Sequence, residues 1–344
     1  MRPTSTDEVL DLLEAASTAA ALGAALELGL FWMLDRRPLD AAGVTSALGI
    51  PQVRCRAWLQ LLRRAGLLEE ADGGYRPSGA ARAAILGRYS QPTWALLAAE
   101  TRERLPSLLE LPTNLRTPGP APLPPSPEAT DYVARMDEDP EQARGFTRML
   151  FELHTPLAAA LAEFVDASGA RRMMDLGGGS GVVAAAFLRR HPGLNATVVD
   201  IPGVCTVARE LTAGLGLGSR LDFHAADFLR DELPGGFDLV LECDVNVYGV
   251  ELFRKLRAAL APGGRLVIAD QMAEAADPAH DTRAHWAFGR SLTDADFAGY
   301  PTWAGVRAQL GAAGFRIRSE RPLPPVSDGA TRLWEGTLVL EADR

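Results

Sequence analysis

The spacing of apolar residues divides the 344-residue chain into two parts with different patterns. In the first part, including residues 7–36, 84–116 and 129–168, apolar residues recur every three or four positions, which predicts helices. From residue 172 onward, short apolar runs alternate with helix-like segments. That alternation predicts an α/β domain with a doubly wound parallel sheet and helices on both faces. We therefore expect a mainly helical N-terminal part followed by an α/β domain.

The segment after the first helical region has the element order of a winged helix. A helix is followed by a turn at 49–51, a second helix over 52–65 and a hairpin around Gly73 and Gly74. Winged helices often bind DNA, and the second helix here is rich in arginine. The chain nevertheless carries a net charge of −9 with a pI of about 5.2, which argues against general affinity for nucleic acid or anionic membranes. We favour a structural or dimerising domain, with a DNA-binding regulator as a distant alternative.

A proline-rich stretch separates the N-terminal helical part from the rest of the chain. Residues 117–127 contain six prolines, so they form neither a helix nor a central strand. We expect a helical winged-helix domain over 1–116, a linker with connecting helices over 117–168, and the α/β domain over 169–344.

The N-terminal sequence and the cysteines indicate the cellular compartment in which the protein is expected. Acids come early, and no apolar region follows a basic start, so no signal peptide is expected. Charges interrupt the apolar stretches before 18 residues, so we expect no membrane span. The three cysteines match no metal-binding spacing and are interpreted as free thiols. These features predict a cytoplasmic protein.

The strongest local signal is a glycine loop after the first strand of the α/β domain. The strand ends at Asp175, and glycines follow at 177, 179 and 181. Glycines permit a tight turn and close approach of a ligand, and ligands bind at the carboxyl ends of parallel strands. A dinucleotide fingerprint would need glycine at 182 or 184, where the chain has Val182 and Ala184. The loop therefore favours a ligand without a pyrophosphate.

Acids at the ends of the next two strands match the groups of S-adenosyl-L-methionine. Asp200 is positioned to accept both ribose hydroxyls. Asp227 is positioned to accept from the adenine amino group, with Phe228 packed on the ring. A Pro-Gly-Gly turn at 262–264 then leads into the fifth strand. Together, in this order, these features predict an S-adenosyl-L-methionine site that releases S-adenosyl-L-homocysteine.

The same motifs, with the helix around 146–154, resemble the plant-type small-molecule O-methyltransferases, which include hydroxyindole, caffeate-type and bacterial polyketide enzymes. The resemblance covers nearly the whole chain. It implies a Rossmann-like class I methyltransferase domain and a homodimer with interlocked N-terminal domains. It also implies a substrate pocket bordered by the helices of 117–168, and a small aromatic substrate from secondary metabolism such as antibiotic biosynthesis. The implied cofactor contacts are Asp175, Gly177, Gly179, Asp200, Ile201, Asp227, Phe228 and Cys243, the last where the family often has lysine.

The chain departs from this family where the reaction needs a base. The family's histidine after the fourth strand corresponds to Val247, and the acid that orients it is missing near Trp303 and Gly305. Because a phenol has a pKa of about 10, a base helps when oxygen is the nucleophile. Three interpretations stay open: an acidic substrate that reacts through proximity, a different base, or a carbon or nitrogen nucleophile. The candidate bases are Asp244, Tyr248, His154 and His285.

O-methylation of a phenolic metabolite is therefore the default prediction. The alternatives are C-methylation of an aromatic amino acid or related ring, N-methylation, and a member that binds the cofactor without methylating. We expect no metal, although His280, Asp281 and His285 have a conceivable metal-binding spacing. The candidate substrate contacts are Met149, Phe151, His154, Asn246 and Trp286.

Overall fold

The computed structural model describes residues 3–117, 133, 136, 138–272, 284–293, 297, 299–326 and 333–344, without the side chains of residues 104, 107, 285, 286 and 293. These residues form two compact units, Met1–Leu109 and Glu110–Arg344. The division predicted from sequence, 1–116, 117–168 and 169–344, stays a prediction, because much of the proline-rich segment lies outside the described residues.

The N-terminal unit contains helices and a two-stranded hairpin. Ser5 begins the first helix with a capping box, in which its side chain and that of Glu8 each accept a backbone hydrogen bond. The segment 7–36, predicted to be helical, forms two helices, because Gly29 adopts a left-handed φ of 68° between them. The elements are α1 Thr6–Glu27, α2 Leu30–Arg36, α3 Ala41–Leu48, α4 Gln52–Arg64, β1 Leu68–Ala71, β2 Gly74–Pro77 and α5 Gln91–Leu109, with short helical segments at Gly79–Ala81 and Arg82–Leu86.

The first helix bears on the expectation that the chain has no membrane span. By length and composition α1 is apolar enough to cross a membrane, since it contains an 18-residue window with no more than two charged residues. Helices of soluble proteins also pass this test, so one such helix is weak evidence for a membrane span.

The C-terminal unit is built on a seven-stranded sheet with the order β5-β4-β3-β6-β7-β9-β8. All seven segments predicted to be strands are strands. The sheet is mostly parallel, as predicted; among the described strands of this sheet only β9 runs in the opposite direction, since it pairs antiparallel with both β7 and β8. The strands are β3 Arg172–Leu176, β4 Asn195–Asp200, β5 Leu221–Ala225, β6 Phe237–Cys243, β7 Leu260–Asp270, β8 Arg316–Pro322 and β9 Leu338–Asp343.

Helices cover both faces of this sheet, as the sequence predicts for a doubly wound domain. One apolar cluster includes Leu161, Phe187 and Leu241, and the other includes Phe253 and Leu310. These clusters hold β3, β4 and β6 rigidly, so the loops at their carboxyl ends start from fixed positions. The helices of this unit are α6 Pro140–Phe164, α7 Val182–Arg190, α8 Pro202–Thr212, α9 Val250–Ala259, α10 Ala284–Thr293 and α11 Trp303–Ala312, with a short segment at Leu111–Asn114.

Candidate active site

The glycine loop lies between β3 and α7, at the carboxyl edge of the sheet. Gly177, Gly179 and Gly181 have φ values of 60°, 52° and 74°, a region that other residues rarely adopt. A Cβ at Gly177 would lie 3.0 Å from Cγ2 of Val245, so a side chain there would be both strained and crowded. At Gly179 a Cβ would meet no atom nearer than 4.0 Å, which leaves that part of the loop open to a ligand.

Asp200 supports the loop from the end of β4. Its Oδ2 accepts a hydrogen bond of 2.8 Å from the Gly179 N–H, and its Oδ1 accepts one of 2.8 Å from the Ile201 N–H. Burial raises the pKa of this carboxyl to about 6, against the effect of the two N–H donors. Each oxygen keeps a second lone pair, so the carboxylate can still accept the two hydroxyls of a ribose.

Asp175 lies beneath the glycine loop. It is only 1% exposed, and its Oδ2 accepts a 3.1 Å hydrogen bond from the Ala184 N–H in the first turn of α7. Burial, together with the nearby Asp200, raises its pKa to about 7 against the lowering effect of the Ala184 N–H. This geometry makes Asp175 a support for the loop and for α7.

The turn after β5 carries Asp227 and Phe228. The Asp227 Oδ1 accepts a 3.0 Å hydrogen bond from the Leu229 N–H, and the Lys255 ammonium donates to the carbonyl of Phe228 at 3.1 Å. A Cβ at Gly177 would lie 3.5 Å from the Phe228 ring, so that ring borders the glycine loop. The turn is therefore fixed from two sides, with an aromatic face beside the loop.

The run after β6, where the family histidine is absent, has an unusual backbone. Asp244 and Asn246 have φ values of 54° and 60°, although neither is glycine. Asp and Asn adopt this conformation more readily than other residues, yet it is sparsely populated and recurs at functional sites. The Asn246 amide donates to the Asp244 Oδ1 at 3.0 Å, which orients that carboxylate.

The other oxygen of Asp244 contacts His154, 90 positions earlier in α6. The Asp244 Oδ2 lies 3.1 Å from Nε2 of His154, and Nδ1 of His154 lies 2.9 Å from the Leu150 carbonyl oxygen. Because the carbonyl is an acceptor, Nδ1 carries a hydrogen, and the Nε2 contact is favourable when a proton lies between imidazole and carboxylate. The side chains of His154 and Asp244 are 12% and 27% exposed. They form a His–Asp pair at the edge of the glycine loop, where Leu150 lies 4.0 Å from a Cβ at Gly179.

Trp334 holds the other side of the imidazole. Its ring centroid lies 4.6 Å from that of His154, and its indole N–H donates to the Leu153 carbonyl at 3.2 Å. The indole is buried, so it limits rotation of His154 and excludes water from that side.

Two buried acids, Glu242 and Asp270, lie near the ends of β6 and β7, and Asp270 contacts Tyr248. Tyr248 donates its hydroxyl hydrogen to the Asp270 Oδ2, and burial together with Asp270 raises the tyrosine pKa far above its usual value. A tyrosine acts as a base only as a phenolate, so this geometry disfavours Tyr248 as the base. Glu242 is fully buried, its carboxylate oxygens have no hydrogen-bond partner among the described residues, and burial raises its pKa strongly.

The structure places the predicted site residues in different surroundings. The glycine loop, Asp200, Phe228, Asp244 and His154 surround one region, whereas Ile201 is buried in another apolar cluster with Met136 and Val204. Cys243, whose thiol pKa is raised by burial, faces the apolar cluster on the α7 side, and Phe151 packs against the same cluster. Met149 is buried in α6, at 4% exposure. The side chains of His285 and Trp286 lie outside the described residues, as do His280 and Asp281, and within the described chain no group of three metal-binding side chains occurs.

Sequence reasoning missed three contributors to this region: Leu150, Val245 and Trp334. Leu150 could have been found from its position one helical turn before His154. Trp334 had no such signal, because 180 residues separate it from His154 and only folding brings the rings together.

Comparison with known proteins identifies the family. Residues 129–293 match the model of an O-methyltransferase domain. The chain is 34% identical over 269 residues to 3-hydroxy-5-methyl-1-naphthoate 3-O-methyltransferase of Streptomyces sahachiroi, which covers 77% of this chain and 76% of that protein. The chain belongs to the O-methyltransferase family. It is a methyltransferase, and its methyl donor is S-adenosyl-L-methionine.

Two further similarities cover most of the chain. The N,N-dimethyltransferase OxyT of Streptomyces rimosus is 32% identical over 315 residues, 90% of each protein. The structure of the mitomycin 7-O-methyltransferase MmcR superposes with a TM-score of 0.80 at 24% identity, covering 98% of this chain and 97% of that one. The latter supports the predicted class I methyltransferase fold.

The residues at the glycine loop fit this methyl donor. The open backbone at Gly179 and the inward carboxylate of Asp200 suit a ribose, and the absence of a third dinucleotide glycine suits a ligand without pyrophosphate. When bound, the donor supplies an electrophilic methyl group on its sulfonium.

Proposed function

We propose that this methyltransferase acts on a phenolic oxygen of a small aromatic molecule, with His154 and Asp244 as the proton-accepting pair. The observation that supports this is the 3.1 Å contact between the two side chains beside the glycine loop. It offers a base in a chain that lacks the family's histidine.

The pair suits the task for three reasons. His154 is fixed by Leu150 and Trp334, and Asp244 is fixed by Asn246, so both side chains are oriented before a substrate binds. Their partial burial strengthens the interaction with a phenol hydroxyl. A phenol hydroxyl that donates to the Asp244 carboxylate would transfer its proton to the pair, to lie between the carboxylate and Nε2 of His154, as the phenol oxygen bonds to the methyl group and S-adenosyl-L-homocysteine leaves.

We further propose roles for the other predicted residues. Asp200 accepts the ribose hydroxyls, and Phe228 packs on the adenine while Asp227 accepts from its amino group. Met149, Phe151, Asn246 and Trp286 contact the acceptor substrate. Asp175 acts through the loop that it supports.

The test is incubation with methyl-labelled S-adenosyl-L-methionine and a panel of phenols, indoles, phenolic amino acids and aromatic amines. We expect transfer to a phenolic oxygen, located by mass spectrometry and NMR. Labelling only at ring carbon would favour the C-methyltransferase alternative. Labelling only at nitrogen would favour an amine substrate, a candidate supported by the similarity to an N,N-dimethyltransferase.

We also propose that the protein is a cytoplasmic homodimer that does not bind nucleic acid. Support for the dimer comes from α1, where the side chains of Val9, Leu10, Leu12 and Leu13 are 47%, 53%, 48% and 74% exposed. An apolar surface of this kind is typical of an interface. Sedimentation should give a dimer, and replacing Leu13 by glutamate should weaken it, whereas a wild-type monomer would contradict the proposal.

A further inference from the structure

The end of β7 contacts Asp244, and the residue after it, Gln271, contacts the backbone on both sides of the tryptophan that packs against His154. We propose that Asp270 and Gln271 are positioning residues, which hold Asp244 and His154 at the distance and orientation that proton transfer requires. The proposal rests on the function proposed above for that pair.

The chain segment from Asp244 to Tyr248 is attached at both of its ends to the last residues of β7. Its N–H donates to the Ala269 carbonyl at 3.1 Å. Four residues later, the Tyr248 hydroxyl donates to the Asp270 carboxylate, whose other oxygen accepts from the Gln271 N–H at 2.6 Å. The run between these anchors has left-handed φ values at 244 and 246, a sparsely populated conformation for residues other than glycine. Anchors on both sides are what keep such a run from relaxing.

His154 is held through the next residue of the same strand end. The Gln271 side-chain amide donates to the Leu333 carbonyl at 2.9 Å and to the Glu335 carbonyl at 2.7 Å. These two carbonyls flank Trp334, whose ring lies against His154 at 4.6 Å. One side-chain amide thereby fixes the backbone on both sides of the indole that orients the imidazole.

Ala269, Asp270 and Gln271 are consecutive, so a single rigid strand end sets the position of both partners. Asp270 is 2% exposed and belongs to the core of the sheet, which makes it a stable reference. Neither Asp270 nor Gln271 is itself placed in contact with the methyl donor or the acceptor. Their effect on the reaction passes through Asp244 and His154.

The decisive variant is Gln271→Glu, which keeps the size of the side chain but removes both N–H donors. Holoenzyme and a phenolic acceptor from the panel should give a kcat about tenfold lower with an unchanged KM for S-adenosyl-L-methionine, because misplacement of catalytic groups affects the transition state. Gln60→Glu, at an exposed position of α4, is the matched control and should behave as wild type.

Two readouts separate positioning from general loss of structure. In protein labelled with ¹⁵N-histidine and saturated with S-adenosyl-L-homocysteine, Gln271→Glu should shift the ring signals of His154, identified by their absence in His154→Ala. In the His154→Ala background, Gln271→Glu should lower kcat little further, because both changes remove the same function. An unshifted His154 signal, or a full additional loss in the double variant, would overturn the proposal.

Tyr248→Phe tests the other anchor while keeping the aromatic ring. It should lower kcat in the wild type but add little in Asp244→Asn. If His154→Ala and Asp244→Asn retain full activity, the proposed base is wrong. If those two lose activity while Gln271→Glu and Tyr248→Phe keep wild-type kcat and signals, the positioning role alone is wrong.

Discussion

The proposed methyl-donor region and the proposed acceptor region of this enzyme are built in different ways. The donor region comes from a contiguous strand, loop and helix, completed by Asp200 at the end of the adjacent strand. The acceptor region brings together α6, the run after β6 and the segment around Trp334, which are far apart in sequence.

The difference reflects what each region must recognise. The donor region binds a single cofactor whose chemical groups are always the same, so a short sequence motif with a fixed spacing is sufficient to bind it. Acceptor chemistry can be supplied by side chains from several elements, provided that they meet in space. In the proposed function, a His–Asp pair formed across 90 positions takes the role for which the family uses a histidine soon after the fourth strand of the sheet.

The largest effect is expected in the donor region from Asp200→Ala. The change removes both ribose acceptors and the support of the Gly179 N–H, so S-adenosyl-L-homocysteine affinity should fall about a thousandfold, from two charge-assisted hydrogen bonds of roughly 2 kcal/mol each. Calorimetry measures this, with the exposed Glu232→Ala as control. Unchanged affinity would remove Asp200 from the donor site.

The acceptor region should respond in rate and not in cofactor affinity. His154→Ala and Asp244→Asn should each lower kcat about a hundredfold, the usual contribution of a general base. Affinity for S-adenosyl-L-homocysteine should stay within about threefold of wild type, since neither residue supports the loop by a hydrogen bond. If the two variants lose affinity for S-adenosyl-L-homocysteine but keep their kcat, His154 and Asp244 belong to the donor region and not to the acceptor region.

The pH dependence of cofactor binding tests whether Asp200 binds the methyl donor as an ionised carboxylate. The Asp200 pKa is raised to about 6 by burial, and ribose hydroxyls favour the ionised carboxylate, so binding should weaken as pH falls below 6. From pH 6 to pH 5 the dissociation constant should rise by up to about tenfold. Calorimetry in matched buffers tests this, and Asp200→Asn should flatten the profile. An equally steep profile in that variant would point to another group.

The smallest expected effect concerns stability. Burial raises the Glu242 pKa above its unfolded value, so this carboxyl favours the folded state at low pH and opposes it as pH rises through the folded pKa. Glu242→Gln removes the ionisable group and should stabilise the protein at pH 8 by about 1 kcal/mol, or about 2–4 °C in Tm. The difference should shrink towards pH 5. A variant less stable at pH 8 would mean that the ionised Glu242 has a partner when folded.

Prediction from sequence succeeded where information is local. The strands of the α/β domain follow from short apolar runs between helical segments, and the donor loop follows from glycines whose left-handed φ values the structure confirms. It did not anticipate the antiparallel direction of β9 or the break between the first two helices at Gly29. Strand direction depends on which edge of the sheet is free after β7, and one glycine within a helical pattern does not reveal its φ.

The acceptor region shows what could not be predicted from the sequence. Asp244, Tyr248, His154 and His285 were all candidates for the base, because their residue types allow it and their spacing says nothing about contact. Folding separates them: Tyr248 donates to Asp270, while His154 and Asp244 meet.

The sequence by itself determined the class of domain, the methyl donor and the absence of a histidine at 247, since each depends on residue types at short, fixed spacings. Only the tertiary structure decided which polar groups meet beside the donor loop. The reason is physical: a hydrogen bond needs two atoms within about 3 Å, and residues 90 or 180 positions apart reach that distance only when a packed sheet and its helices hold them there.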